Sequence, residues 1–319
     1  MSFTSEAKQQ ICMEELDEGM ARSQLSALFF LRARLILSQG DTRVSFQSEN
    51  ASITKHVFQL LRTLYDIEPG LSVLRKMHLK KNNIYCVEAA GAMDILEDLG
   101  IMNQGLLRLS PPARLLRSEK NARAFLQGAF LAGGSCNHPR TSNYHLEISC
   151  QEEKMAQLLQ KQMERFYLPA RIAKRKDQYI VYLKTGEKIA DFLRLCGASE
   201  ALLDFEDLRI QRDFFNSITR LNNCEVANEM KSISAAKKQI ESIERIEAAG
   251  LLSQVPEKVR QAMDIRRENP EASVLELCEA YQARYGESIS KSGMKHRLSR
   301  IREIAAPLFE ADAEKGESE

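Results

Sequence analysis

The stretch FLQGAFLAGG, Phe125–Gly134, constrains this chain more than any other. It is an apolar run at helical density that closes on two glycines and carries a third, Gly128, inside it. A glycine within a helix costs about 1 kcal/mol relative to alanine, so Gly128 needs a packing reason. The obvious one is a second helix approaching on small residues. LSALFFLRARLIL, Leu25–Leu37, is such a run, and Leu25-Ser26-Ala27 lines up with Leu126-Gln127-Gly128 at an offset of 101.

The order of elements around these two runs is the same. In the first half a helix begins near Ser5, pauses over the acidic Glu14–Glu18 and resumes at Ser23 into the apolar run. Thr42–Gln47 alternates like a strand, and Asn50 or Ser52 caps a helix to about Tyr65 with Val57, Leu60, Leu61 and Leu64 at helical spacing. Strands over Leu71–Met77 and Asn83–Glu88 flank a bend at Lys80–Asn83, and a helix over Gly91–Leu99 stops at Gly100. Ser110-Pro111-Pro112 breaks the chain. After it, Tyr144–Cys150 is a strand, Gln151–Tyr167 a helix, Pro169–Arg175 and Gln178–Leu183 strands about a charged bend, and Lys188–Leu195 a helix. Ile84-Tyr85 lines up with Tyr179-Ile180 at an offset of 95, so the length differences fall in loops, which tolerate them.

A chain of 319 residues, 44% hydrophobic and 28% charged, holds two or three ordinary globular domains. Seven scattered cysteines without a CxxC pair read as reduced thiols of a cytoplasmic protein. The polar start MSFTSEAKQQ argues against a signal peptide, and no apolar run approaches the ~20 residues of a membrane span.

From about Leu221 strand formers fade. Arg220–Ala249 reads as a helix of ~40 Å at 1.5 Å per residue, with Met230, Ile233, Ile240, Ile243 and Ile246 along one face. Asn222–Glu225 reads as its cap, and Gly250 ends it. A helix over Glu257–Arg267 follows Pro256. Ser273 caps VLELCEAYQARY, Gly286 stops it, and Ser290 caps a last helix to about Ala305, with Pro307 and the acidic Glu310–Glu319 as a frayed end.

Helix, short turn and helix with a shared core of Leu277, Ala280, Ile289, Met294, Leu298 and Ile301 make a helix-turn-helix. Its second helix carries Lys291, Lys295, Arg297, Arg300 and Arg302, with His296 among them, only Glu303 opposing, and Ser290 and Ser292 at the N-terminal end. A recognition helix requires short polar groups near base edges and phosphates, and basic side chains along the exposed face. Free N–H groups of its first turn add phosphate affinity, and Gly293 allows close packing or backbone approach. The alternative is a helical pair with a solvated basic face.

NNCEVANEMK (Asn222–Lys231), VPEK (Val255–Lys258), SISKSGMKHRLSRI (Ser288–Ile301), AFLQGAFLAGGSCNHP (Ala124–Pro139) and YHLEI (Tyr144–Ile148) resemble the WhiA family of sporulation regulators, over nearly the whole chain. The resemblance implies an α+β fold, a duplicated LAGLIDADG homing-endonuclease-like domain followed by an all-α helix-turn-helix domain. It also implies a bacterial DNA-binding transcription regulator tied to sporulation, cell division and chromosome segregation. The corresponding division is 1–205 for the LAGLIDADG-like domain, with repeats at about 20–105 and 120–200, then 206–250 for a linker and long helix, 251–307 for the helix-turn-helix and 308–319 for an acidic tail.

The resemblance places the nine-residue LAGLIDADG pattern on Leu126–Gly134 and Leu25–Ala33, and its metal-binding acid on Gly133 and Arg32. Two-metal phosphodiester cleavage needs carboxylates to hold the cations. Glycine offers no ligand and arginine repels a cation, so neither nuclease activity nor a metal or other cofactor is expected. In homing endonucleases a curved sheet beneath the paired helices straddles DNA. The equivalent bends carry Arg75, Lys76, Lys80 and Lys81 in one half, and Arg171, Lys174, Arg175 and Lys176 in the other at an offset of about 95. They suit a polyanion saddle or a partner surface, and equally two solvated turns. Cys136, His138, His145 and Cys150 match no usual zinc spacing and read as structural.

The expected protein is a cytoplasmic, nucleoid-associated, sequence-specific DNA-binding regulator without catalysis, acting on double-stranded promoter DNA and free of membranes. The alternatives are an active homing endonuclease, which Arg32 and Gly133 disfavour, and an interaction module in cell division whose partner is another regulator or division protein.

Overall fold

In this computed structural model, which describes residues 2–38, 41–75, 83–141 and 143–316, short polar side chains start the first helices. Ser2 caps α1 (Phe3–Ile11), Asp17 caps α2 (Glu18–Arg32) and Asn50 caps α3 (Ala51–Tyr65), each accepting from a first-turn N–H that has no partner inside the helix. Strands β1 (Ala33–Ser38) and β2 (Asp41–Ser48) precede α3, and β3 (Gly70–Arg75) and β4 (Asn83–Ala90) follow it. Then come α4 (Ala92–Asp98) and a small hairpin, β5 (Met102–Asn103) with β6 (Leu106–Leu107).

The second half repeats the pattern. Ser118 caps α5 (Glu119–Gly133), which leads into β7 (Gly134–Cys136), β8 (Leu146–Cys150), α6 (Glu153–Arg165), β9 (Arg171–Arg175), β10 (Gln178–Leu183) and α7 (Gly186–Leu195). The sheets run β1-β2-β4-β3 and β7-β8-β10-β9, antiparallel throughout.

The two halves meet along α2 and α5. A Cβ at Gly128 would lie 2.2 Å from the Gln24 carbonyl oxygen and 3.0 Å from the Ala27 Cβ, so the helices touch backbone to backbone there. Ser26 and Gln127, at matched positions of the repeat, both donate to the carbonyl at the end of their own half's last helix. Ser26 Oγ reaches Leu99 O at 2.7 Å, and Gln127 Nε2 reaches Cys196 O at 3.0 Å. A buried polar chain crosses the same seam. His56 bonds Gln24, Gln24 Nε2 donates to Gln127 at 3.1 Å, and Gln127 donates to Glu14, which pairs with Arg123.

The structure departs from the sequence expectation in several places. The helix expected over Leu25–Leu37 stops at Arg32, because Ala33–Ser38 pairs with β2 and its side chains alternate across the sheet. The offset of 95 is corrected by register. Val87 and Val181 are both buried on the helix side, and Tyr85 and Tyr179 share that face, which requires an offset of 94. The long helix does not start at an Asn222–Glu225 cap: α8 runs unbroken over Ser199–Ala248.

The chain divides into two compact units, residues 1–213 and 214–319, and the division falls inside α8. In the second unit the C-terminal part of α8 packs through Ile243 and Ile246 with α9 (Glu257–Glu268), α10 (Val274–Tyr285) and α11 (Lys291–Gly316). Leu277, Met294, Leu298 and Ile301 are buried as expected, with Ala280 and Ile289 half-buried against them. Ser273 and Glu276 form a capping box at the start of α10, and Gly286 ends it in the left-handed conformation at φ 72°. Buried Arg266 donates to the carbonyls of Ala272, at 2.7 Å, and Asn269, at 3.3 Å, and so fixes the turn between α9 and α10. The expected frayed end is instead helical through Pro307 to Gly316, with the Phe309 ring 3.8 Å from the Arg245 guanidinium.

Gly128→Val should destabilise the chain by about 1–3 kcal/mol through forced separation of α2 and α5; an unchanged urea midpoint would contradict the packing. Burial lowers the His56 pKa from 6.5 to about 4. The unfolded chain therefore binds a proton that the folded chain does not between those values. This contribution is full above pH 6.5 and is lost as pH falls toward 4, by at most about 3 kcal/mol. Urea midpoints across that window should fall less steeply for His56→Gln than for the parent.

Candidate nucleic-acid interface

Ser290 caps α11, its Oγ accepting from the Gly293 N–H at 3.1 Å. A Cβ at Gly293 would sit 3.1 Å from the Ile289 side chain, so this turn is closely packed. Met294, Leu298, Ile301 and Ala305 recur every three or four residues and are buried. That leaves the opposite half of α11 exposed. At about 100° per residue, Ser292, His296, Ser299 and, one turn further on, Glu303 form the centre of this face. Lys291, Lys295 and Arg302 lie along one edge and Arg300 along the other, all exposed. Arg300 pairs with Glu303 at 2.7 Å, an exposed pair that a phosphate can replace. Ser299 is absent from the sequence candidates, although its phase with Ser292 and His296 is readable once the buried positions are known.

Arg297 does not join this face. It is half-buried, its guanidinium lies 4.8 Å over the Tyr281 ring, and its Nη1 donates to the Lys258 carbonyl at 3.4 Å. It ties α11 to α9 and α10. Arg302 borders a groove of about 640 Å³ with Lys238, Glu241, Glu303 and Phe309, where α11 passes the C-terminal part of α8.

In the first unit, Arg75 ends β3 and is exposed, whereas Lys76, Lys80 and Lys81 lie outside the described residues. Arg171, Lys174 and Arg175 belong to strand β9 rather than to a bend, and only Lys176 stands in the turn. Register divides them. Arg171 and Arg175 face away from the helices, while Lys174 is on the other side with its Nζ 5.5 Å from the Tyr179 ring centre. On the outward face of the first sheet, register adds Arg34 and Arg43, which the sequence reading lacks, together with the acid Glu88. Glu147, on the neighbouring strand position of the second sheet, faces outward there and bonds His145 at 2.9 Å.

At the ends of the paired helices, a Cβ at Gly133 would lie 2.5 Å from the Ser149 carbonyl oxygen, and Ser149 Oγ donates to the Gly133 carbonyl at 3.2 Å. Strand β8 thus fills the space a side chain would need. Arg32 Nε donates to the Ala132 carbonyl at 3.0 Å, and Lys8 Nζ donates to the Leu131 carbonyl at 3.1 Å. Two cations therefore satisfy the last carbonyls of α5, where the helix dipole favours positive charge. Burial, and then Arg32, lower the Lys8 pKa from 10.5 to about 8. No sequence signal links Lys8 to this place. Among the described residues no three His, Cys, Asp or Glu side chains group to hold a metal ion. Cys136 and Cys150 are buried thiols, pushed up to about 12 and about 11 by burial.

Three domain models match in succession along the chain. They are the WhiA N-terminal LAGLIDADG-like domain over residues 18–102, the WhiA LAGLIDADG-like domain over 122–215 and the WhiA C-terminal HTH domain over 218–305. The chain is thus a degenerate LAGLIDADG-like protein joined to a helix-turn-helix. It is 42% identical to the probable cell division protein WhiA of Staphylococcus haemolyticus and 43% identical to that of Staphylococcus epidermidis, each over 306 residues and 96% of both chains. The chain belongs to the WhiA family. Its fold matches the crystal structure of full-length DUF199/WhiA from Thermatoga maritima with a TM-score of 0.57 at 22% identity, over 96% of this chain and 99% of that one.

With Arg32 and a closed Gly133 position, supercoiled plasmid incubated with the protein and Mg²⁺ or Mn²⁺ should remain intact. Nicking that disappears on changing residue 32 or 133 would overturn this expectation.

Proposed function

We propose that this protein is a sequence-specific DNA-binding transcription regulator that acts in the cytoplasm on the nucleoid, serves cell division, chromosome segregation or sporulation, and does not cleave DNA. The observation that carries the reading is the exposed face of α11, where Ser292, His296 and Ser299, followed by the Arg300-paired Glu303, are flanked by basic edges. A major groove places base edges between two phosphate walls, and this face has the same cross-section. Arg34, Arg43, Arg171 and Arg175 on the outward sheet faces supply a second set of cations for a DNA backbone, interrupted by Glu88 and Glu147. The names of the relatives, probable cell division proteins, support the cellular role.

Lys291→Ala with Lys295→Ala should weaken binding to a promoter fragment and reduce the slope of log affinity against log salt by about 1.8, from two lost phosphate contacts. Ser292→Ala with His296→Ala should lower the ratio of specific to random-sequence affinity and leave the slope alone. Anisotropy titrations between about 50 and 200 mM salt cover both effects, and unchanged slopes and ratios would refute the assignment. Arg297→Ala should act differently, lowering the stability of the chain by about 1 kcal/mol through its lost bond and ring contact, read as a lower urea midpoint.

A further inference from the structure

Residues 214–231 of α8, in the second unit, are exposed at every position over a stretch of helix roughly 27 Å long at 1.5 Å per residue. A solvated helix is normally polar over such a length. This one carries Phe214 (61% exposed), Phe215 (65%), Leu221 (61%), Val226 (54%) and Met230 (68%), and its stripe continues through Ile233 (51%). A contiguous exposed apolar stripe of this kind marks an interaction site.

The stripe has a defined shape. Phe214, Ile218 and Leu221 line one edge, and Phe215, Val226 and Ile233 line the other, with Met230 beyond. Between the two edges run Asn222 and Glu229, and Glu225 sits within the first edge between Phe214 and Ile218. Neither glutamate has an ion-pair partner among the described residues. The cations of this segment, Arg220 and Lys231, point to the opposite side of the helix.

We infer that this face of α8 is the docking site for an amphipathic helix of another protein, one that sets lysine or arginine side chains among apolar ones. Charge selects the occupant. The paired carboxylates repel a DNA backbone, and a second copy of the face would bring four carboxylates into one apolar contact. A basic partner neutralises both glutamates as the rails close around it, which gives the contact register as well as area. The site is separate from the exposed face of α11, so the partner can join the chain while α11 remains free.

The test uses the full-length chain and two fluorescein-labelled helical peptides. Both have leucines at i, i+3, i+4 and i+7 spacing, one with lysines flanking them and one with glutamates. The lysine peptide should bind at least tenfold more tightly than the glutamate peptide. Glu225→Lys with Glu229→Lys should reverse that preference, and Phe215→Asp with Val226→Asp should weaken the lysine peptide at least tenfold. Circular dichroism checks that the variants keep their helix content. The exposed charge reversal remains decisive even where the apolar pair disturbs folding. Equal affinity for the two peptides, a preference that survives the charge reversal, or DNA displacing the peptide from this face would overturn the inference. So would light scattering that shows a dimer of the parent chain and a monomer of the Phe215→Asp, Val226→Asp variant.

Discussion

The backbone contact between α2 and α5 is the constraint on which the first unit depends. Gly128 lets the Gln24 carbonyl come within the space of a missing Cβ, and every paired element follows from that approach. Ser26 and Gln127 then tie each central helix to the end of its own half. Each helix passes directly into the first strand of a four-stranded sheet, so the sheets are placed by the helices above them. The same closeness shapes the helix ends. With β8 against Gly133, and Arg32 and Lys8 on the terminal carbonyls of α5, the junction is held by internal hydrogen bonds.

The second unit rests on a different constraint. A small helical core has little apolar area to bury, so its specificity comes from capping and from polar ties. Ser273 with Glu276, Arg266 in the α9–α10 turn and Arg297 across Tyr281 hold three helices at fixed angles. Because Arg297 is used inside the unit, the exposed charges of α11 separate into two edges around a polar centre. Charge placed at edges gives affinity, and polar side chains between them give discrimination.

Much of this was legible in the sequence where period and composition agree. The glycine-bearing apolar run, the two strand–helix–strand series and the caps at Asn50, Ser273 and Ser290 follow from local chemistry and reappear in the structure. The misses share a cause, tertiary contacts between distant residues. Ala33–Ser38 reads as helix by apolar density, and only pairing with β2 makes it a strand. The one-residue difference in offset is invisible without knowing which side of the sheet is buried. Lys8 reaches α5 from far away in the sequence, and Arg297 looks like its basic neighbours until Tyr281 is seen beneath it. The apolar residues of α8 read as one continuous face, and only tertiary packing divides it: Ile243 and Ile246 are buried while Met230 and Ile233 are exposed.

The central claim is that the polar centre of α11 reads a DNA sequence in the cell. Base-resolution mapping of chromatin-bound protein, in cells carrying the parent chain and in cells carrying Ser292→Ala with His296→Ala, addresses it most directly. The account predicts discrete promoter sites that share one sequence motif for the parent, and diffuse binding without that motif for the variant. The same motif at the same sites in both strains would contradict it.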